Sequence, residues 1–191
     1  MDKNKYYTNK TIFILPYEDS YLLGLLNSYV VWFYLRQICT ALRGGVWRLN
    51  LQSIYTETIP IPNAKDEEKK RIGALAEQAQ DMAEKRYALQ EQVRNRIHDI
   101  APEGRQYDLN GKLKSWWTLD FKEFQAQVKA VFKRELSLKE RDEWEEYLND
   151  KRKSVDELSQ KLTSLENDLN NEVYKIFALT PDEIALIEDN V

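Results

Sequence analysis

Cysteine and histidine are nearly missing: Cys39 and His98 are the single examples in 191 residues. An internal disulfide is therefore excluded, a thiolate-rich zinc site lacks ligands, a polyhistidine metal centre has too few imidazoles, and a Ser/His/Asp arrangement would have His98 alone to draw on. So little cysteine suits a reducing cytoplasm. Glycine and proline are also few, at 6 and 5, so the places where they gather punctuate the chain: Gly44-Gly45, Pro60 with Pro62, Pro102 with Gly104 and Gly111, and Pro181. An uninterrupted apolar run of membrane length is absent. The segment Tyr21–Ile38 is strongly apolar, but Gly24, Asn27, Ser28, Arg36 and Gln37 break it, and no signal-peptide pattern opens the chain. It is expected to be a buried helix of a protein that does not enter a membrane.

What remains is a charged, moderately apolar chain, with 42% hydrophobic and 31% charged residues. That suffices for one extended domain or two small ones. The net charge of −4 is unevenly spread: residues 1–60 carry 6 basic and 4 acidic groups, 61–136 carry 15 and 13, and 137–191 carry 7 and 15. Phosphate neutralisation dominates nucleic-acid affinity, so a nucleic-acid surface is expected within the first 136 residues and not on the acidic tail.

Long helical patterns fill the second part. From Asp66 to about His98, Ile72, Leu75, Ala76, Ala79, Met82, Ala83, Leu89, Val93 and Ile97 recur at three- and four-residue steps and define one helix face. Asn63 or Asp66 can cap it, and Asp66, Glu67 and Glu68 suit its N-terminal dipole. A helix of thirty-odd residues extends roughly 50 Å and needs a partner. That partner is expected in 138–177, where Leu148, Val155, Leu162, Leu169 and Ile176 form a seven-residue ladder, Leu158 and Leu165 lie in a second seam, and Ser137 with Glu140 has capping-box spacing. Between them, 101–111 reads as a loop, and the basic-aromatic K-L-K-S-W-W at 112–117 favours Trp116 and Trp117 pinning that loop onto the helices over nucleic-acid contact. A short helix over 120–134 turns Phe121, Phe124, Val128, Val131 and Phe132 inward. T-P-D-E at 180–183 caps a last helix carrying Ile184 and Ile187, docked by Val173, Tyr174, Ile176 and Phe177.

The first part is more mixed. T-I-F-I-L at 11–15 reads as a strand ended by Pro16. A helix beginning at 18–20 follows, in which Asn27 and Ser28 can cap a break. Then R-G-G-V-W-R-L-N-L-Q at 43–52 brings Arg43, Arg48, Asn50 and Gln52 together with Trp47, an inventory suited to phosphates, base edges and stacking. The alternative is a hairpin whose glycines only allow a tight turn and whose Trp47 fills a core. I-P-I-P at 59–62 stops any strand. The expected fold is thus α+β and mainly α: a small mixed domain over 1–62, then a helical region over 63–191 with paired long antiparallel helices and a C-terminal tail.

The run of L-L-G-L-L-N-S at 22–28, R-G-G-V-W-R at 43–48 and I-P-I-P followed by a charged helix resembles the TaqI-like C-terminal specificity domain of adenine-specific DNA methyltransferases, including fused type IIG restriction-modification enzymes and phage-defence methyltransferases. L-D-F-K-E-F at 119–124, L-S-L-K-E-R-D-E-W-E at 136–145 and N-E-V-Y-K-I-F-A-L-T-P-D-E-I-A-L-I-E at 171–188 are similar to the tail that follows such domains. The resemblance implies a cytoplasmic target-recognition fragment, with double-stranded DNA and an upstream methyltransferase domain or subunit as partners. It implies S-adenosylmethionine as cofactor of that parent and none in this chain. Base and stacking contacts would come from Arg43, Trp47, Arg48, Asn50 and Gln52, and phosphate contacts from Lys69, Lys70 and Arg71.

The N-P-P-Y or D-P-P-Y tetrad and glycine-rich cofactor loop of that enzyme class are missing from this sequence, and Glu67–Lys70 has an E-x-K spacing without a convincing upstream Asp. The alternatives are a helical scaffold or dimerisation module, with a possible homodimer through its helices, and a type I restriction specificity half-subunit. The chain by itself is expected to neither methylate nor cut DNA. Transfer of labelled methyl groups to DNA by the purified chain checks this, and incorporation above background overturns it.

Overall fold

A computed structural model describes residues 17–42, 46–48, 59–102 and 107–190, with the backbone alone at Ala41, Leu42 and Val46–Arg48. The order is α1 (Ser20–Leu26), α2 (Tyr29–Ile38), β1 (Thr40–Leu42), β2 (Val46–Arg48), α3 (Asp66–His98), α4 (Gly111–Lys114), a 3-10 turn (Trp116–Thr118), α5 (Phe121–Phe132), α6 (Leu138–Ile176) and α7 (Pro181–Glu188). The fold is mainly helical. Its contacts divide it into two compact units, one from residues 1–80 and 163–191 and the other from 81–162. The division falls inside α3 and α6, not at the expected 62/63 boundary, because different short helices cover different stretches of each long one.

The first unit is organised by a close helix crossing. α1 starts at Asp19, whose carboxylate accepts from the Tyr21 and Leu22 amides at 2.9 and 3.1 Å. Its Gly24 lies against α3 so tightly that an added Cβ would sit 2.9 Å from Ile72 Cγ2 and 3.2 Å from the Ala76 Cβ. Gly73 is the reciprocal small residue, with Ser20 Cβ 3.2 Å from where its own Cβ would be. Leu25, Val31, Ile72 and Val173 are fully buried around this crossing, joined by Leu169, Tyr174 and Ile187. The Tyr21 hydroxyl donates to the Pro62 carbonyl at 3.2 Å and ties the I-P-I-P segment to α1.

The apolar run from Tyr21 to Ile38 is two helices. The chain breaks at Asn27, and Ser28, itself fully buried, caps α2 by accepting from the Val31 amide while donating to the Leu25 carbonyl at 2.7 Å. A second cap comes from across the unit: Asn170 of α6 accepts from the Tyr29 amide at 2.8 Å and donates to its own Glu166 carbonyl at 2.9 Å. α6 ends in a Schellman turn. Ala178 is left-handed with φ 51°, the Leu179 amide bonds the Tyr174 carbonyl at 3.1 Å, and the Ala178 amide bonds the Lys175 carbonyl at 3.0 Å. α7 then opens with the expected Thr180/Glu183 capping box and Pro181 in its first turn.

The second unit buries Trp116, Phe124, Phe132, Val93, Ile97, Leu113, Leu148 and Val155 in one core. Trp116 is the pin foreseen from the sequence: fully buried, it donates its indole N–H to the Gln90 carbonyl of α3 at 3.2 Å. Arg94 seconds it, donating to the Lys114 carbonyl at 2.6 Å with its guanidinium 5.2 Å from the Trp117 ring centre. α5 starts at Asp120, which forms a reciprocal cap with Glu123, and ends at a left-handed Lys133, φ 55°. α3 and α6 run antiparallel here: Arg86 bonds Ser159 at 3.4 Å, while Arg96 and Asp99 lie beside Glu140 and Tyr147. Leu148, Val155 and Leu162 of the predicted ladder are buried in this unit, and Leu169 in the other.

Among the described residues of 1–62 helices predominate, and the sheet there is the three-residue pairing of β1 with β2. The strand expected at 11–15 lies outside the described residues. The cap of α3 is neither Asn63 nor Asp66: the Lys65 amide donates to Glu68 at 2.7 Å, the return half of a capping box, and the first helical bond runs from the Lys69 amide to the Lys65 carbonyl at 2.9 Å.

Gly24→Ala is expected to destabilise the first unit. Alanine gains about 1 kcal/mol of helix propensity, but the β-branched Ile72 methyl and the Ile72 carbonyl cannot retreat, and overpacking of this kind costs about 1–3 kcal/mol. The loss should shrink in an Ile72→Ala background, where the opposing methyl is gone. Thermal melts of the four-member cycle check this; independent, additive effects would refute it.

Candidate nucleic-acid interface and the groove of the second unit

The sequence candidates fall into two groups. β1 and β2 pair antiparallel with Thr40 opposite Arg48, Ala41 opposite Trp47 and Leu42 opposite Val46. This is the pairing of a hairpin, and residues 43–45 between the two strands lie outside the described residues. Arg43, Asn50 and Gln52 lie outside the described residues, and Trp47 and Arg48 are on β2, described by backbone. The hairpin follows directly from the end of α2.

The second group, Lys69, Lys70 and Arg71, sits in the first turns of α3 behind Asp66, Glu67 and Glu68. These three do not form an open cationic patch. Lys69 lies over the Tyr21 ring, 5.9 Å from its centre, and Arg71 bonds Glu172 of α6 at 3.0 Å. Glu172 also receives Lys175 at 2.6 Å, and these bonds, Lys175 foremost, hold its carboxyl below the usual glutamate range. Burial, with Asp19 and Glu68 nearby, pushes the Tyr21 phenol up. Lys70 is exposed and is the residue of this group best disposed to meet an external anion.

Other chemistry is sparse. Cys39 is half-buried and burial pushes its thiol up, away from the reactive thiolate. Among the described residues no group of three His, Cys, Asp or Glu side chains is placed to hold a metal ion, and no helix is long and apolar enough to cross a membrane.

One cavity was not foreseen. An open groove of about 500 Å³ in the second unit is lined by Arg96, Asp99, Ile100, Glu140, Glu143, Trp144 and Tyr147. Its floor is aromatic: Trp144 packs 5.6 Å from Phe124 and edge-on to Tyr147 at 5.6 Å. Its charges are satisfied internally, Arg96 by Asp99 at 3.2 Å, Glu143 by Lys139 at 3.7 Å, and Glu140 by Arg134. Arg134 also donates to the Ile100 carbonyl at 3.1 Å, closing the end of α3. The i, i+3 spacing of Trp144 and Tyr147 was a visible signal, but the opposing wall comes from residues more than forty positions away, which no local pattern links.

The fold defines a mainly helical protein whose two long helices are each covered by shorter ones, with a hairpin issuing from the first unit. A family model described as a domain of unknown function (DUF8810) matches residues 65–173, and the chain belongs to that family. No curated protein and no solved structure matches it.

Glu140 carries a pH dependence. The Ser137 amide and hydroxyl, then Arg134, hold its carboxyl at about 2, below an unfolded value of about 4.3. A depressed carboxylate contributes stability that is complete above the unfolded value and is lost as pH falls through the folded one. The side chain is 35% exposed, so solvent moderates the effect. Glu140→Gln should therefore flatten the fall of the melting midpoint between about pH 4.3 and 2; parallel acid profiles for both proteins would disprove the assignment.

Proposed function

We propose that this chain is the DNA sequence-recognition part of an adenine-specific DNA methyltransferase or restriction-modification enzyme, with methyl transfer from S-adenosylmethionine carried by a separate catalytic domain or subunit. The observation that supports it best is the hairpin register: a three-residue Arg43-Gly44-Gly45 connection between paired strands leads directly into Trp47, Arg48, Asn50 and Gln52. Arginine can bond guanine in bidentate fashion, Asn and Gln can do the same to adenine, and Trp offers a stacking face. The mixed α/β character expected for 1–62 belongs to this proposal, as do double-stranded DNA and the methyltransferase as partners.

A second reading, a helical scaffold or dimerisation module, is favoured by a specific observation. The family match at 65–173 falls on the long helices and the helices between them, and Lys69 and Arg71 are engaged inside the chain. In that reading the hairpin is a structural turn.

Arg43→Ala combined with Arg48→Ala separates the two. Under the recognition reading, each lost base contact costs about 1–3 kcal/mol and relaxes one position of the target. Duplex binding by the chain, and methylation patterns of the complete enzyme, are the measurements. Unchanged affinity and target choice, with an unchanged melting midpoint, would leave the scaffold reading in place.

A further inference from the structure

We propose that the outward face of α5, carrying Lys122, Lys129 and Lys133, is a sequence-independent phosphate-contact surface for duplex nucleic acid. This surface is distinct from the hairpin and from the start of α3, and it rests on the charge and geometry of the second unit rather than on the hairpin reading.

Charge distribution singles it out. Residues 112–134 hold six basic groups against two acidic ones, whereas the rest of the chain holds 22 against 30. Both acidic groups are occupied by the helix start: the Glu123 amide donates to Asp120 at 2.7 Å and the Asp120 amide to Glu123 at 3.1 Å. Their charge faces the positive N-terminal end of α5, so it offsets the helix dipole in addition to neighbouring lysines.

Geometry then gathers the lysines. Positions 122, 126 and 129 follow the three- and four-residue step of one helix face, opposite Phe124, Val128 and Phe132, which are 0, 0 and 1% exposed in the core, and Lys133 is the left-handed residue that ends the helix. Lys122, Lys129 and Lys133 are all exposed, as are Ala126 and Ala130 beside them. Along the helix axis Lys122 and Lys129 are roughly 10 Å apart at 1.5 Å per residue, a span that covers more than one phosphate of a duplex. The alanines keep the face low, so a phosphate backbone can approach without meeting a bulky side chain. Lys129 bonds Glu135 at 2.6 Å, but the two side chains are 66 and 60% exposed, and so open an ion pair exchanges readily for a phosphate.

The chemistry favours a duplex over a lipid surface. An interfacial helix needs Leu, Phe or Trp beside its lysines, and the large apolar residues of α5 are all on its inward side. The exposed charges of this face are lysines, which act as point charges and hold a backbone without forming the bidentate fork that reads a base.

The test uses the full chain. Fluorescence anisotropy with a labelled duplex of mixed sequence is followed across salt concentration for wild type, for K122Q/K129Q/K133Q, and for a charge-matched control, K139Q/K153Q/K161Q, whose lysines are exposed elsewhere on α6. Wild type should bind with a strong salt dependence. In the α5 variant the slope of log affinity against log salt should fall by about 0.9 for each lysine in contact, with a loss of roughly 5- to 10-fold per lysine near 0.1 M salt. The control should keep the wild-type slope. Single Lys122→Gln and Lys129→Gln proteins should each show about a third of the change and serve if the triple variant melts early. An unchanged slope in the α5 variants, an equal loss in the control, no duplex binding by wild type, or binding of phosphatidylserine vesicles in place of duplex would each overturn the proposal. Failure here leaves target choice through Arg43 and Arg48 untouched, since those residues are assayed by sequence preference and not by salt slope.

Discussion

The contact on which the first unit depends is the Asn170 side chain meeting the Tyr29 amide. An apolar segment as long as Tyr21–Ile38 has to bend if both of its halves are to lie on the core, and the bend exposes helix-end amides where no water can reach them. Ser28 satisfies one from within, and Asn170, only 3% exposed, satisfies another from a residue 141 positions away. A buried amide without a partner costs about 1–3 kcal/mol, so this contact discriminates strongly against other seatings of α2 on α6. Around it the small residues Gly24, Gly73 and Ala76 let α1 and α3 approach closely, and Tyr174, whose hydroxyl donates to Glu188 at 3.2 Å, joins α7 to the same core.

The second unit is held by different means. Its core is aromatic and continuous, and its polar contacts serve chain ends: Trp116 occupies the Gln90 carbonyl, Arg94 the Lys114 carbonyl, and Arg134 the Ile100 carbonyl. The charge of Arg94 is balanced by Glu91 and that of Arg134 by Glu140. Among the described residues, buried side-chain polar atoms without a partner are found on Arg152, whose Nε and Nη2 are enclosed while Nη1 donates to Asn149 at 2.9 Å; burial pulls this guanidinium down, and Asp120, Glu145 and Asp156 oppose that shift.

These two ways of building also distribute charge differently. In the first unit Lys69 and Arg71 near the start of α3 meet Tyr21 and Glu172, while Lys70 is exposed. The second unit leaves lysines outward on α5 and an aromatic groove between the helix ends. Base reading and backbone holding are separate tasks in nucleic-acid recognition, one needing forks and amides and the other only charge. In the proposals made above, the hairpin is assigned the first task and α5 the second.

Local pattern determined much of this on its own. The capping boxes at Ser137/Glu140 and Thr180/Glu183, the seven-residue ladder from Leu148 and the inward Phe124, Val128 and Phe132 follow from local spacing, and all are present; the pinning Trp116 is present too, through a partner, Gln90, on α3. The length of 66–98 also implied a partner helix, and the ladder in 138–177 identified it. Only the tertiary structure decided where the units divide, that α1 rather than a strand layer covers the start of α3, that Lys69 and Arg71 are taken by Tyr21 and Glu172, and that α2 is capped by Asn170. The reason is one of range. Periodicity and capping record interactions over a few residues, whereas Arg71 with Glu172 and Tyr29 with Asn170 join positions a hundred or more apart, where the packing of whole helices sets which side chains meet.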